Sequence, residues 1–327
     1  MLRRDGFTLI ELLVTSAILL LVMLYVTQAF TVQQKTYVVV DQVTEAQQNL
    51  RAVSSLIERD IRLAGYMVPR HAALCGYDNL NIPDRLYVSN ADAIRSVFAL
   101  EGANEDLSGN YGAPVSGVTA VWTRNGSSAS VTLNRLWVDV AADGADFAVN
   151  GGVILVNRRD PKADIACGNI TALVGNTLTI DLHDTKIGPV GLNADVVAIP
   201  AHEYTLTSGG PTGSLLRDNM LIAQDVEDLQ LAYFFDFDDD LEVDAGETFG
   251  SAGGTDLAFE GNASDPSKLL EVQLNLVTVT RDNDPNRDWT LGAGEVTGNR
   301  AAGTLSAGDG KRRRVYSARI RLRNANS

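Results

Sequence analysis

Between Phe7 and Phe30 the chain carries one charged residue, Glu11, in a run of 24 mostly apolar residues. As a helix rising 1.5 Å per residue, such a run spans about 36 Å, enough to cross a bilayer. Arg3 and Arg4 precede it. That placement holds the N-terminus in the cytoplasm and sends the remainder outward. Glu11 is the anomaly, because an acid deep in lipid costs about 2.5–3.5 kcal/mol on insertion scales. A secretory signal has a shorter apolar region, no carboxylate and a small-residue cleavage site. A plain single-pass anchor has no use for Glu11. A cut after Gly6 removes the anomaly. Phe7 then gains an α-amino group, and Glu11, four residues on, lies on the same helical face. There the carboxylate meets the favourable end of the helix dipole and can pair with the Phe7 amine of a neighbouring copy.

The hexapeptide Gly6-Phe7-Thr8-Leu9-Ile10-Glu11, followed directly by an apolar helix, resembles the class III signal of type IV prepilins and pseudopilins. The resemblance implies cleavage between Gly6 and Phe7 by a prepilin peptidase, N-methylation of Phe7, and a part for Glu11 in setting the register of assembly. Residues 1–6 are then a leader peptide and 7–30 the membrane-spanning part of the first helix.

Neither Gly nor Pro occurs between Phe7 and Ala64; Gly65 and Pro69 are the first breakers. Val39, Val43, Ala46, Leu50, Val53 and Ile57 step by four and three, a helical seam. The spacing therefore predicts an amphipathic continuation over residues 31–64, with a weak spot at the β-branched and aromatic stretch Thr36–Val40. From residue 65 to 327 the pattern changes to short alternating runs between turn signals. Strands are expected at Arg85–Ser89, Val118–Thr123, Val131–Val138, Gly152–Asn157, Thr177–Leu182, Val196–Tyr204, Leu229–Phe235, Leu269–Thr280 and Val315–Leu322. No βαβ alternation is evident. The expected fold class is α+β: a long N-terminal helix packed on a mostly antiparallel β head.

Composition narrows the function. A net charge of −14 is a poor match to a general nucleic-acid binder, which needs a basic footprint, so no nucleic-acid partner is expected. The basic run Lys311–Arg314 reads as a strand end or a partner for the acidic loop. Three scattered histidines and two cysteines exclude Cys-rich zinc modules and make a His-based triad improbable. No phosphate loop, nucleophile elbow or supported carboxylate pair is present, and the chain does not read as an enzyme. Cys75 and Cys167 lie in the exported part, and two thiols in an oxidising compartment are best read as one disulfide. The alternative is two unpaired, buried thiols.

From Asp225 to Glu247 there are ten acids and no Lys or Arg. Counted from Asp236 as the first position, acids fall at positions 1, 3, 5, 7, 9 and 12. This is the ligand spacing of a twelve-residue calcium loop, in which alternate acids aim oxygens at one hard cation. Expected ligands are Asp236, Asp238, Asp240 and Glu247, with Asp244 direct or through water and Glu242 through its carbonyl. The sixth position, usually glycine for the sharp turn, is Leu241, and no flanking helices are expected. A solvated acidic loop is the competing reading.

The stretch Leu50–Tyr66, the stretch Val226–Tyr233 leading into the acidic loop, and the close Arg313–Asn324 are similar to PilW-type minor pilins. Members of that family commonly carry Asp-Gly in the acidic loop, from which Leu241 departs. The resemblance implies a low-copy subunit that initiates type IV pilus assembly in the inner membrane and later sits at or near the filament tip on the cell surface. Its partners would be other minor pilins, the major pilin and a large tip adhesin. The J-type minor pseudopilin of a type II secretion system shares the same signal. A membrane-anchored adhesin or enzyme with a similar N-terminus is the reading from a different class.

Overall fold

The computed structural model describes residues 8–66, 68, 70–77, 82–90, 92–93, 113–121, 127–133, 147–157, 165–175, 177–185, 196–207, 213–244, 247–249, 265–283 and 310–323. The chain divides into two compact units, Met1–Glu45 and Ala46–Ser327.

In the first unit the helix α1 (Leu9–Leu63) is long and apolar enough to cross a membrane. Its hydroxyls are turned back onto the helix. Thr15 Oγ1 donates to the Glu11 carbonyl at 2.7 Å and Thr27 Oγ1 to the Met23 carbonyl at 2.8 Å. Such back-bonding satisfies polar groups that lipid cannot. The stretch Thr36–Val40, expected to be weak, stays α-helical.

In the second unit the last turns of α1 bury Leu50, Val53, Ile57 and Ile61. They share one core with Leu229, Leu231, Tyr233, Leu274, Leu276 and Ile320. A buried Leu or Ile contributes about 1.5–3 kcal/mol, so this seam ties the helix end firmly to the sheet. Gly65, at φ +78°, takes up the left-handed conformation just beyond the helix and ends it.

Among the described residues thirteen antiparallel strands follow: β1 (Leu74–Tyr77), β2 (Arg85–Val88), β3 (Ala113–Val121), β4 (Ser127–Leu133), β5 (Gly152–Asn157), β6 (Ile165–Val174), β7 (Thr177–Thr185), β8 (Val196–Thr207), β9 (Gly213–Arg217), β10 (Met220–Phe235), β11 (Thr248–Phe249), β12 (Leu269–Val279) and β13 (Arg313–Arg321). Strand β8 belongs to two layers. Its first half pairs with β3 and β5, and β3-β4-β7-β6-β5 returns to it, closing a six-stranded barrel. Its second half, His202–Thr207, pairs with β2 and β9 in an open sheet that runs on through β10 and β12 to β13. The head is thus mostly antiparallel β, as the alternation predicts, while the closure of half of it into a barrel is an addition. Asp218 and Asn219, both at positive φ, make the tight turn between β9 and β10.

Cys75 on β1 and Cys167 on β6 form a disulfide, both fully buried, with a Cα–Cα distance of 6.2 Å. It links the open sheet to the barrel. Arg313 in the basic run is buried against Glu227 at 2.5 Å and begins β13, so the run lies at a strand end.

Candidate functional site

Two features carry the functional expectation. The first is the helix start. Gly6 and Phe7 lie outside the described residues. Thr8 and Glu11 meet reciprocally: the Thr8 N–H and Oγ1–H donate to Glu11 Oε2 at 3.1 and 2.8 Å, and the Glu11 N–H donates to Thr8 Oγ1 at 3.4 Å. This is a capping box, which satisfies backbone donors that a helix start leaves without partners. Glu11 therefore has a local task in the single chain, namely capping its own helix. The signal for Thr8 was in the sequence as Thr-x-x-Glu, a pattern eclipsed by the methylation-type reading of the same residues.

The second is the acidic loop. Strand β10 delivers Asp236 at its buried end, 5% exposed, and Glu247, 7% exposed, leads into β11. These two carboxylates stitch the loop. Asp236 Oδ1 and Oδ2 accept from the Asp240 and Leu241 N–H groups at 3.1 and 3.0 Å. Glu247 Oε1 and Oε2 accept from the Phe237 and Asp244 N–H groups at 2.8 and 2.6 Å. Asp240 Oδ1 accepts from the Glu242 N–H at 2.8 Å. With the turn so fixed, one carboxylate oxygen each from Asp236, Asp238 and Asp240 lies within 4.8 Å of the others. Glu242 and Asp244 are exposed, and their carboxylates do not belong to that triad; nor does that of Glu247. Loss of water on its crowded side, with the charges of Asp240, Glu247 and Asp236, pushes the Asp238 carboxyl above its usual range. Lys268 meets Asp239, which does not belong to the triad.

Leu241 departs from the expected glycine in identity but not in backbone. Its φ is +68°, in the left-handed region where glycine is favoured. An L-residue there is less stable by about 1–2 kcal/mol, so the loop holds the turn in spite of the side chain. The chemistry of the donor set, three convergent carboxylates on a pre-stitched turn, fits a hard cation such as calcium.

Residues 1–27 match the prokaryotic N-terminal methylation motif. No curated protein matches the chain. Among solved structures, a type IV-like pilin from Thermus thermophilus aligns at 12% identity over 85% of this chain and 97% of its own, with a TM-score of 0.32, too low to bear on the fold. Residues 1–27 thus carry a methylation-type motif, and the apolar helix begins within them.

Proposed function

We propose that this chain is a minor pilin of the PilW type, a low-copy structural subunit that helps start type IV pilus assembly and sits at or near the filament tip. The observation that supports it is the methylation motif over residues 1–27, which includes Glu11 and the first turns of a membrane-length helix. Before assembly the apolar helix holds the chain in the inner membrane with the head exported. In assembly that helix leaves lipid for a bundle of other pilin helices. The Glu11 carboxylate exchanges its own Thr8 cap for the Phe7 amine of a neighbour, and the β head defines who the neighbours are. The large sheet-plus-barrel head suits a subunit used few times, in contact with other minor pilins, the major pilin and a tip adhesin.

Expression with and without a prepilin peptidase, followed by N-terminal mass spectrometry, tests the reading. Peptidase-dependent loss of residues 1–6 with a methyl group on Phe7 is the expected result; an intact N-terminus in both strains overturns it. Glu11→Ala is expected to leave cleavage intact, weaken the helix start by about 1 kcal/mol through the lost capping box, and impair incorporation into filaments. Normal pilus numbers and tip composition in that variant would count against the register role. Deletion that abolishes protein secretion and spares pili would move the subunit to the secretion-system pseudopilus.

The acidic loop is proposed to bind one calcium ion through Asp236, Asp238 and Asp240, with Glu247 holding the turn and Glu242 and Asp244 at its rim. Asp238 and Asp240 are exposed, so the double variant Asp238→Asn/Asp240→Asn tests the ion with little effect on packing. Calcium at about 100 times its Kd is expected to stabilise the wild-type chain by about 2.7 kcal/mol in a thermal-shift series, and the double variant by far less. Equal shifts in both would remove calcium from the proposal.

A further inference from the structure

The open sheet ends at β13, which pairs with β12 along its whole length and, among the described residues, with no other strand. The ladder runs from Val279 opposite Arg313 to Glu271 opposite Arg321 without a shift in register. Hydrogen bonds at its two ends fix its phase. The Thr280 N–H donates to the Arg312 carbonyl at 2.8 Å, and the Leu322 N–H to the Leu270 carbonyl at 3.1 Å. In an antiparallel pair, positions bonded to the neighbour recur every second residue. The main-chain groups of Val315, Ser317, Arg319 and Arg321 therefore point out of the sheet, and no main-chain partner meets them among the described residues. Two residues on, the Arg323 N–H is taken by the Arg62 carbonyl of α1 at 3.2 Å. The helix end closes the edge there and leaves it open before that point.

Native sheets blunt such an edge with a proline, a bulge or a very short strand. Strand β13 has nine residues, no proline and a regular ladder. What lines it is charge of one sign. Arg314, Arg321 and Arg323 are exposed, and among the described residues none has an acidic partner. On α1, Arg51, Ser55, Glu58 and Arg62 step by four, three and four, so they share one side of the helix. The Tyr316 hydroxyl of β13 meets Glu58, which sets that side of the helix beside the edge strand. Arg62 pairs with Glu58 at 3.1 Å, while Arg51 has no acidic partner among the described residues. A pocket of about 300 Å³ opens here, lined by Ser55, Glu58, Arg59, Arg62, Leu63 and Arg323.

We propose that the free edge of β13 takes an extended acidic segment of a partner protein as an added strand, its carboxylates held by the arginines of the edge and of α1. The outward N–H and C=O groups select a peptide backbone, because only another strand offers a matching ladder. The unpaired guanidinium groups select acids, and in a chain of net charge −14 they make this edge a local exception that orients an approaching partner. A second copy is a poor occupant. Its own β13 would set arginines against arginines, which disfavours edge-to-edge pairing. Its acidic loop is turned in on itself by Asp236 and Glu247 and has no extended run to offer. The inference rests neither on the calcium site nor on the pilus reading.

Fluorescence anisotropy on the full chain in detergent micelles tests it, with a labelled peptide of about eight residues in which glutamate alternates with threonine. Binding is expected to be about tenfold tighter than for the lysine–threonine counterpart, and to weaken as salt rises. N-methylation of the peptide amides removes the main-chain donors and keeps the charge; it is expected to weaken binding about tenfold. Ser317→Pro deletes one outward N–H and spares the bonds to β12, so it is expected to weaken binding likewise while the thermal midpoint stays close to wild type. The double variant Arg321→Glu/Arg323→Glu is expected to reverse the preference between the two peptides. Failure of the acidic peptide to bind, or binding indifferent to both N-methylation and Ser317→Pro, overturns strand addition. Tighter binding of a single-stranded oligonucleotide than of the peptide would give the surface to nucleic acid. A dimer of the chain alone that Ser317→Pro dissolves would give it to a second copy. Either result overturns the proposal.

Discussion

Replacing Asp60 by alanine is expected to destabilise the head by about 3–5 kcal/mol, the range for removing one partner of a buried charge cluster. Asp60 sits near the end of α1 with no exposed surface. Its Oδ2 accepts from the Tyr204 hydroxyl at 2.6 Å and from Arg217 Nη2 at 2.8 Å, and its Oδ1 from Arg59 at 3.1 Å. Burial, then the charge of Asp60, push the Tyr204 phenol well above its usual range, so that it stays a donor. The alanine variant strands that hydroxyl and leaves the mostly buried Arg217 with only its 3.2 Å bond to the exposed Asp92, and both Tyr204 and Arg217 belong to strands of the open sheet. Asp60→Asn retains an acceptor and is expected to lose less, about 1–3 kcal/mol. Urea unfolding of both variants measures the difference. An alanine variant within about 1 kcal/mol of wild type would mean that water reaches the cluster and that the helix end is held by its apolar seam alone.

The double variant Cys75→Ala/Cys167→Ala is the second large effect. The bridge spans a sequence separation of 92. In the loop-entropy account, a closed loop of that size contributes about 4–5 kcal/mol, and measured losses on removing native bridges run at about 2–5 kcal/mol. Both cysteines are fully buried among Val68, Tyr87, Ile154, Ile165 and Ile199, so alanine also leaves a small void where the sulfurs were. A fall in the thermal midpoint, compared with the oxidised wild type, checks it. Reductant added to the folded wild type should act slowly, because both cysteines of the bridge are fully buried.

Helix α1 was legible because nothing in its sequence interrupts it, and because a repeating apolar seam continues past the membrane run. Strand β5 was legible to the residue, bounded by glycines on one side and by Asn157 at the other. Strand β6 was not. Gly168 and Asn169 interrupt its apolar run, and the pairing with β7 shifts register at Cys167/Gly168 and again at Ile170/Ala172. A Cβ at Gly168 would lie 2.2 Å from the Asp181 carbonyl oxygen, so the residue that reads as a break is a point of close approach. The first half of β10 was lost for a similar reason: Asp225 stands at φ +60°, and alternation fails beside it. Closure of the barrel depends on which strands meet β8, a tertiary choice that alternation does not encode. At the acidic loop the spacing of the acids was readable. The stitching role of Glu247 was not, because a carboxylate that accepts two backbone N–H groups has the same letter as one that faces an ion. Asp60 was invisible as a core residue for a related reason: charge on a helix is normally solvated, and its partners come from strands about 150 positions further on.

The bridge between Cys75 and Cys167 also sets how the head would bear a mechanical load. A pull applied through α1 and taken up at the C-terminal strand β13 enters the barrel through the sulfurs at β6. The segment between the two cysteines is bypassed. At about 3.3–3.6 Å per residue, the covalent link conceals about 300 Å of contour length from the applied force. Strands β2 to β5 lie within that sheltered segment: β2, which carries Tyr87, belongs to the open sheet, and β3, β4 and β5 belong to the barrel. Tension along the chain can therefore peel the open sheet while the covalent path to the barrel stays short.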